Sequence, residues 1–211
     1  IGCGCGGGAI HLIKNHDAKS VVGIDIESLV IKRANELAVK YNLSNLAHFR
    51  CVKPGPLDIP DESVDLVFSK EVFLHFLNKD DLMKDIYRVL KPGGLVVVSD
   101  WMRIDDNPPS KQMQEYIAAE GLDMYMCSLK RYEQALKNAG FIDIVMKDRN
   151  VWYLNKAQQE LAAIEGPLNK QVIDAIGPEE TAGAIDIWKK LIGVLELGEH
   201  RPGHFKAVKK H

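Results

Sequence analysis

Cysteine is scarce. Four residues, at positions 3, 5, 51 and 127, do not make the dense spacing of a disulfide-stapled secreted domain, so reduced thiols are expected. Long apolar runs are missing as well. The longest, such as Leu95 to Val98, fall far short of a bilayer span, and no charged-then-apolar leader is visible, which points to a soluble, cytoplasmic protein without a membrane partner. An excess of one charge sign is lacking: 27 Lys and Arg stand against 29 Asp and Glu, so no global field draws the chain to nucleic acid. Repeats and low-complexity linkers are also absent. What is present is ordinary for a folded protein: 46% hydrophobic and 27% charged residues over 211 positions, enough for one compact core.

The order of elements is readable from punctuation and period. Residues 1–8 read Ile-Gly-Cys-Gly-Cys-Gly-Gly-Gly and lead into the apolar-periodic Ala9, Ile10, Leu12 and Ile13, a glycine turn opening into a helix. Such a turn follows a buried strand, so Ile1 is read as the tail of a first strand and the chain as N-terminally incomplete. Further strands are predicted at 21–25, 48–52, 64–69, 95–98, 141–146 and 204–209. Helices are predicted at 29–41, 79–90, 111–126, 129–139, 151–165 and 179–197. Lys91-Pro92-Gly93-Gly94 is expected to stop the helix before it and turn the chain into the next strand. Strands alternating with helices give a parallel sheet. We expect a single domain over 1–211, with a helical cap inserted at about 148–200 before the last strand.

Glycines at 2, 4 and 6 would let backbone N–H groups and a helix N-terminus approach a ligand closely. The spacing Gly2-x-Gly4-x-x-Gly7, with Asp25 at the distance of a ribose-binding acid, also satisfies a dinucleotide fingerprint. A nicotinamide-binding domain therefore stays open on spacing alone. Cys3 and Cys5, one residue apart with no second pair nearby, have poor zinc spacing, and no metal is expected.

Four segments in order, Ile1-Gly-Cys-Gly-Cys-Gly-Gly, Gly23-Ile24-Asp25, Ile59-Pro-Asp-Glu-Ser-Val-Asp-Leu-Val67 and Leu90-Lys-Pro-Gly-Gly94, resemble the class I S-adenosylmethionine-dependent methyltransferases. The resemblance implies a Rossmann-like, doubly wound α/β fold with seven strands, mostly parallel with an antiparallel last strand. It implies S-adenosylmethionine as cofactor and S-adenosylhomocysteine as product. The cofactor residues carried over are Gly2, Cys3, Gly4, Gly6, Gly7, Asp25, Ile26, Lys53 and Lys70. Lys53 stands where the family has an acid facing the adenine amino group.

A narrower resemblance lies in Ser69-Lys-Glu-Val-Phe-Leu-His75, Ser99-Asp-Trp101 and Arg201-Pro-Gly-His-Phe-Lys-Ala207, similar to phosphoethanolamine N-methyltransferases and related small-amine methyltransferases. It implies Glu71 and His75 as the catalytic pair and Trp101, Tyr116 and Lys206 as acceptor contacts. Spacing of four would put Glu71 and His75 on one face of a helical turn. The family's phosphate-contacting arginine aligns with Glu120 and a substrate tyrosine with Leu122, which favours an amine without phosphate, glycine- or sarcosine-like, over phosphoethanolamine. An ammonium has no lone pair, so a base must expose the amine, and histidine suits that task at neutral pH. An O- or C-methyltransferase of a small natural product, or a non-catalytic cofactor-binding subunit, are the alternatives.

Overall fold

The computed structural model describes residues 1–211. Gly6, left-handed at φ 83°, ends the opening turn, and α1 (Gly7–Asn15) starts at once. β1 (Val21–Asp25) and β2 (Ala47–Cys51) pair in parallel and are joined by α2 (Ser28–Lys40). The small buried side chains of Ala34 and Ala38 let α2 approach the strands closely, beside Phe49.

A second sheet holds β3 (Val64–Lys70), β4 (Leu90–Asp100), β6 (Gly203–Lys209) and β5 (Phe141–Asp148) in that spatial order. β3 and β4 are parallel, and β6 runs antiparallel to both its neighbours, as expected of the last strand. Residues 1–3 join the two sheets. The Ile1 nitrogen donates to the Phe68 carbonyl at 2.9 Å, Ser69 Oγ donates to the Ile1 carbonyl at 3.1 Å, and the Cys3 N–H donates to the Ile24 carbonyl at 3.0 Å. The architecture is α/β and Rossmann-like with a mixed sheet. Six strands form where seven are expected; residues 1–3, with Gly2 at φ 64°, are not assigned to a strand.

Packing follows the two-residue period of the central strands. Val96 and Val98 on β4, opposite Ala207 and Phe205 on β6, turn to one face. There α3 (Lys79–Val89) and α5 (Leu129–Ala139) supply Met83, Ile86, Tyr132 and Leu136 to the main core. α4 (Lys111–Glu120), α6 (Asn150–Glu165) and α8 (Pro178–Glu196) enclose a second core of Met113, Tyr116, Ala157, Leu191 and Val194, which also takes in Leu74. No helix is long and apolar enough to cross a membrane.

Some boundaries depart from the expected ones. α3 passes straight into β4, because its C-cap Leu90 is already extended at ψ 138°. Lys91–Gly94 then bulge out between the rungs Val64–Leu90 and Leu66–Leu95. α4 ends at Glu120, well short of residue 126, where Gly121 adopts φ 68° and caps it. A further helix, α7 (Asn169–Ile176), lies between α6 and α8.

Two buried titratable groups oppose each other. Burial pushes the Asp100 carboxyl, which accepts from the Tyr132 hydroxyl at 2.6 Å, up to about 6. Burial pushes the His200 imidazole, whose Nδ1–H donates to the Met102 carbonyl at 3.1 Å, down to about 4. The Asp100 contribution to stability is present below pH 3.8 and lost as pH rises through about 6. That of His200 is present above pH 6.5 and lost as pH falls through about 4. Each amounts to about 3 kcal/mol, so the two slopes offset. Asp100→Asn should unmask stability that climbs between pH 4 and 6.5, and His200→Gln stability that falls between pH 4 and 6, read from urea midpoints. Parallel profiles in the two variants would refute the opposition.

Candidate active site

The glycine turn lies where the carboxyl ends of β1 and β3 meet. On one side the Asp25 carboxylate accepts from the Gly4 N–H at 2.9 Å and from the Glu27 N–H at 3.1 Å. On the other, Gly2 packs so closely under Val72 that a Cβ would fall inside the valine side chain. Gly6 is likewise closed in by Phe49 and Ala34, whereas a Cβ at Gly4 would meet nothing within 4 Å. Gly4 therefore faces open space with bare backbone. Cys3 between them is only half-exposed, and burial pushes its thiol up to about 11, away from thiolate chemistry. Gly7 opens α1, whose first-turn N–H groups lack intrahelical partners.

The remaining cofactor candidates line the same edge. Ile26 follows Asp25 and is 56% exposed. The Val52 N–H donates to the Asp25 carbonyl at 2.9 Å, which sets exposed Lys53 just beyond β2. Lys70 ends β3, also exposed, with its Nζ 3.5 Å from the Glu71 carboxylate.

Glu71 adopts φ 57° while its N–H donates to the Ser99 carbonyl at 2.8 Å, a left-handed conformation uncommon for this residue. A single 3-10 turn, Phe73–His75, follows. The helical face expected to carry Glu71 and His75 together does not form, because the positive φ of Glu71 puts it outside the turn. His75 is exposed and held separately: its Nδ1–H donates to the Asp123 carbonyl at 2.8 Å. A carbonyl only accepts, so Nδ1 carries a proton, and in the neutral ring Nε2 is the acceptor. Buried Lys79 donates to the carbonyls of Phe73 and Phe76 and ties down the same turn.

Trp101 leaves the end of β4, and its ring meets Tyr116 at a centroid distance of 6.3 Å and His200 edge-on at 5.5 Å. Trp101 Nε1, Tyr116 Oη and His200 Nε2 are buried without a hydrogen-bond partner in the protein. Burial, then Glu120, Tyr153 and Glu71, raises the Tyr116 phenol well above its ordinary value. Burial and then Glu71 push Tyr153 up to about 12. Tyr116 is fully buried, so the ring expected to contact the acceptor packs against Trp101 and His200 instead, with Glu120 one helical turn beyond it on α4. Lys206 stands apart, opposite Val97 on β6, three rungs inside the Asp100 end of β4, and exposed. Lone His200 carries no sequence pattern that would flag it. Asp100 does, as an acid closing the apolar run Leu95–Val98.

Residues 1–98 match the family model described as a methyltransferase domain. The chain is 32% identical over 209 residues to phosphoethanolamine N-methyltransferase of Triticum aestivum, which covers 99% of this chain and 40% of that relative. It is also 32% identical over 209 residues to phosphoethanolamine N-methyltransferase 1 of Arabidopsis thaliana, covering 99% of this chain and 41% of the relative. A solved structure of Haemonchus contortus phosphoethanolamine N-methyltransferase 2, in complex with phosphomonomethylethanolamine and S-adenosylhomocysteine, matches with a TM-score of 0.91 at 25% identity. It covers 100% of this chain and 48% of that one. This chain belongs to the class I S-adenosylmethionine-dependent methyltransferases. It spans about two fifths of the length of these curated relatives.

The glycine turn has two kinds of glycine, and they separate by substitution. Gly2→Ala adds a clash with Val72 to left-handed strain and should cost about 2–4 kcal/mol of unfolding free energy. Gly4→Ala adds the strain alone, about 1–2 kcal/mol. Equal losses in urea unfolding would contradict the packing described for Gly2.

Proposed function

We propose that this chain binds S-adenosylmethionine and N-methylates a small amine, releasing S-adenosylhomocysteine. The observation that carries the reading is the contact of Gly2 with Val72: the turn that opens on Asp25 and the turn that bears Glu71 and His75 touch there. Cofactor and acceptor sites are then neighbours. The residues fit the cofactor. Gly4 leaves room for close backbone approach, and each Asp25 oxygen takes a single N–H bond, retaining acceptor capacity for a ribose diol. Gly2, Cys3, Gly6 and Gly7 shape the cradle, Ile26 offers apolar surface, and Lys53 and Lys70 flank it.

When bound, the sulfonium supplies an activated methyl group, which leaves orientation and deprotonation of the acceptor to the protein. In this reading His75 Nε2 removes a proton from the acceptor ammonium, and Glu71 holds the resulting amine in place. Trp101 offers a partly exposed ring to a cation, with buried Tyr116 packed against it. Lys206 does not enter this scheme. The names of the relatives support a small-amine acceptor. In the same proposal residues 1–3 mark the place of a seventh strand, 1–211 is one domain, and α6–α8 form its cap over about 148–200. A cytoplasmic setting belongs to it as well.

Calorimetry is expected to give saturable binding of S-adenosylmethionine and S-adenosylhomocysteine and none of NADH; the reverse pattern would sink the cofactor assignment. His75→Ala should lower kcat about 100-fold or more with little change in nucleotide Kd. An unchanged rate would remove His75 from its role.

A further inference from the structure

Two carboxylates border the space proposed for the acceptor. The Glu71 N–H is bonded to the Ser99 carbonyl, two residues before Trp101, and Glu120 closes α4 four residues after Tyr116, on the same helix face. Trp101 packs with Tyr116 and Tyr153 in the second core. α4 ends at Glu120 with no basic residue in its last turn, so the negative end of the helix dipole adds to the two carboxylates.

The two carboxylates differ in their partners. Glu71 lies 3.5 Å from exposed Lys70, which offsets its charge, whereas Glu120 forms no ion pair. Arg149 lies over the ring of Trp152, which is half-exposed, at 4.6 Å. His200, packed against both Trp101 and Tyr116, is neutral at physiological pH because burial holds it at about 4. Lys206 is three rungs inside the sheet edge. A phosphate entering the space would meet the unpaired Glu120 carboxylate and a helix C-terminus. An ammonium would meet the same carboxylate with opposite effect, beside the partly exposed rings of Trp101 and Tyr153.

We propose that the acceptor is a cationic amine carrying no phosphate group, selected by the unpaired carboxylate of Glu120 beside the rings of Trp101 and Tyr153. This rests on the amine-methylating reading above. It separates the chain from its phosphoethanolamine-methylating relatives at the level of substrate, with Glu120 as the residue that sets the choice.

The test uses matched pairs: ethanolamine and N-methylethanolamine against their phosphate esters, titrated calorimetrically into the S-adenosylhomocysteine-saturated chain and assayed for methyl transfer from S-adenosylmethionine. The wild-type chain should bind the unphosphorylated member of each pair at least tenfold more tightly. Glu120→Arg should invert that order, and Glu120→Gln should narrow it, with melting temperatures confirming that both variants fold. Equal or tighter binding of the phosphate esters by the wild type, binding of neither member, or a ratio unmoved by Glu120→Arg would overturn the inference. Methyl transfer to no amine, with the binding order intact, would overturn the catalytic reading and leave this one supported.

Discussion

The contact between Gly2 and Val72 is the constraint on which the rest of the site depends. Residues 1–3 are hydrogen bonded to β1 on one side and β3 on the other, so the two sheets meet through them. A glycine is required there for two reasons at once: its φ of 64° turns the backbone away from a straight strand, and its missing Cβ admits the valine. From that one position the chain reaches Asp25 through Gly4 and reaches Glu71 through Val72. The turn on Asp25 and the turn on Glu71 are built against each other.

Around this seam the polar groups divide their work. Lys79 and Asp100 are buried, and Lys79 is bound to the carbonyls of the turn that carries His75. Burial lowers the affinity of Lys79 for its proton. Its bonds to two carbonyls nevertheless give the ammonium partners it would lack in an apolar core. Glu71 and Glu120, by contrast, are only partly buried. The buried set holds shape, while in the proposed scheme the partly exposed set chooses the ligand.

Much of this was legible in the residues. The glycine turn, β1 at residues 21–25 and α5 ending at Gly140 fall where spacing predicts, because local sterics alone decide them. So does the antiparallel last strand implied by the family resemblance. Other features required tertiary context. The Lys91–Gly94 bulge depends on β3 pairing with β4 on both sides of it, and proline with glycine reads locally as a stop. The left-handed Glu71 is held by a bond to Ser99 from another strand, so a spacing of four misplaces it relative to His75. His200 becomes informative only when α8 and β4 close over it, and Lys206 only when register shows how far it lies from the edge.

The meeting of Gly2 and Val72 is a van der Waals contact between a backbone and an aliphatic side chain, with no titratable group and no ion pair in it. Salt screens charges and protons move them, but neither acts on steric fit. That contact is thus insulated from ionic strength and acidity, while the bonds beside it, from the Ile1 amine to Phe68 and from Gly4 to the Asp25 carboxylate, involve charged groups. Steric fit and polar bonding at this seam answer to different variables of the solution.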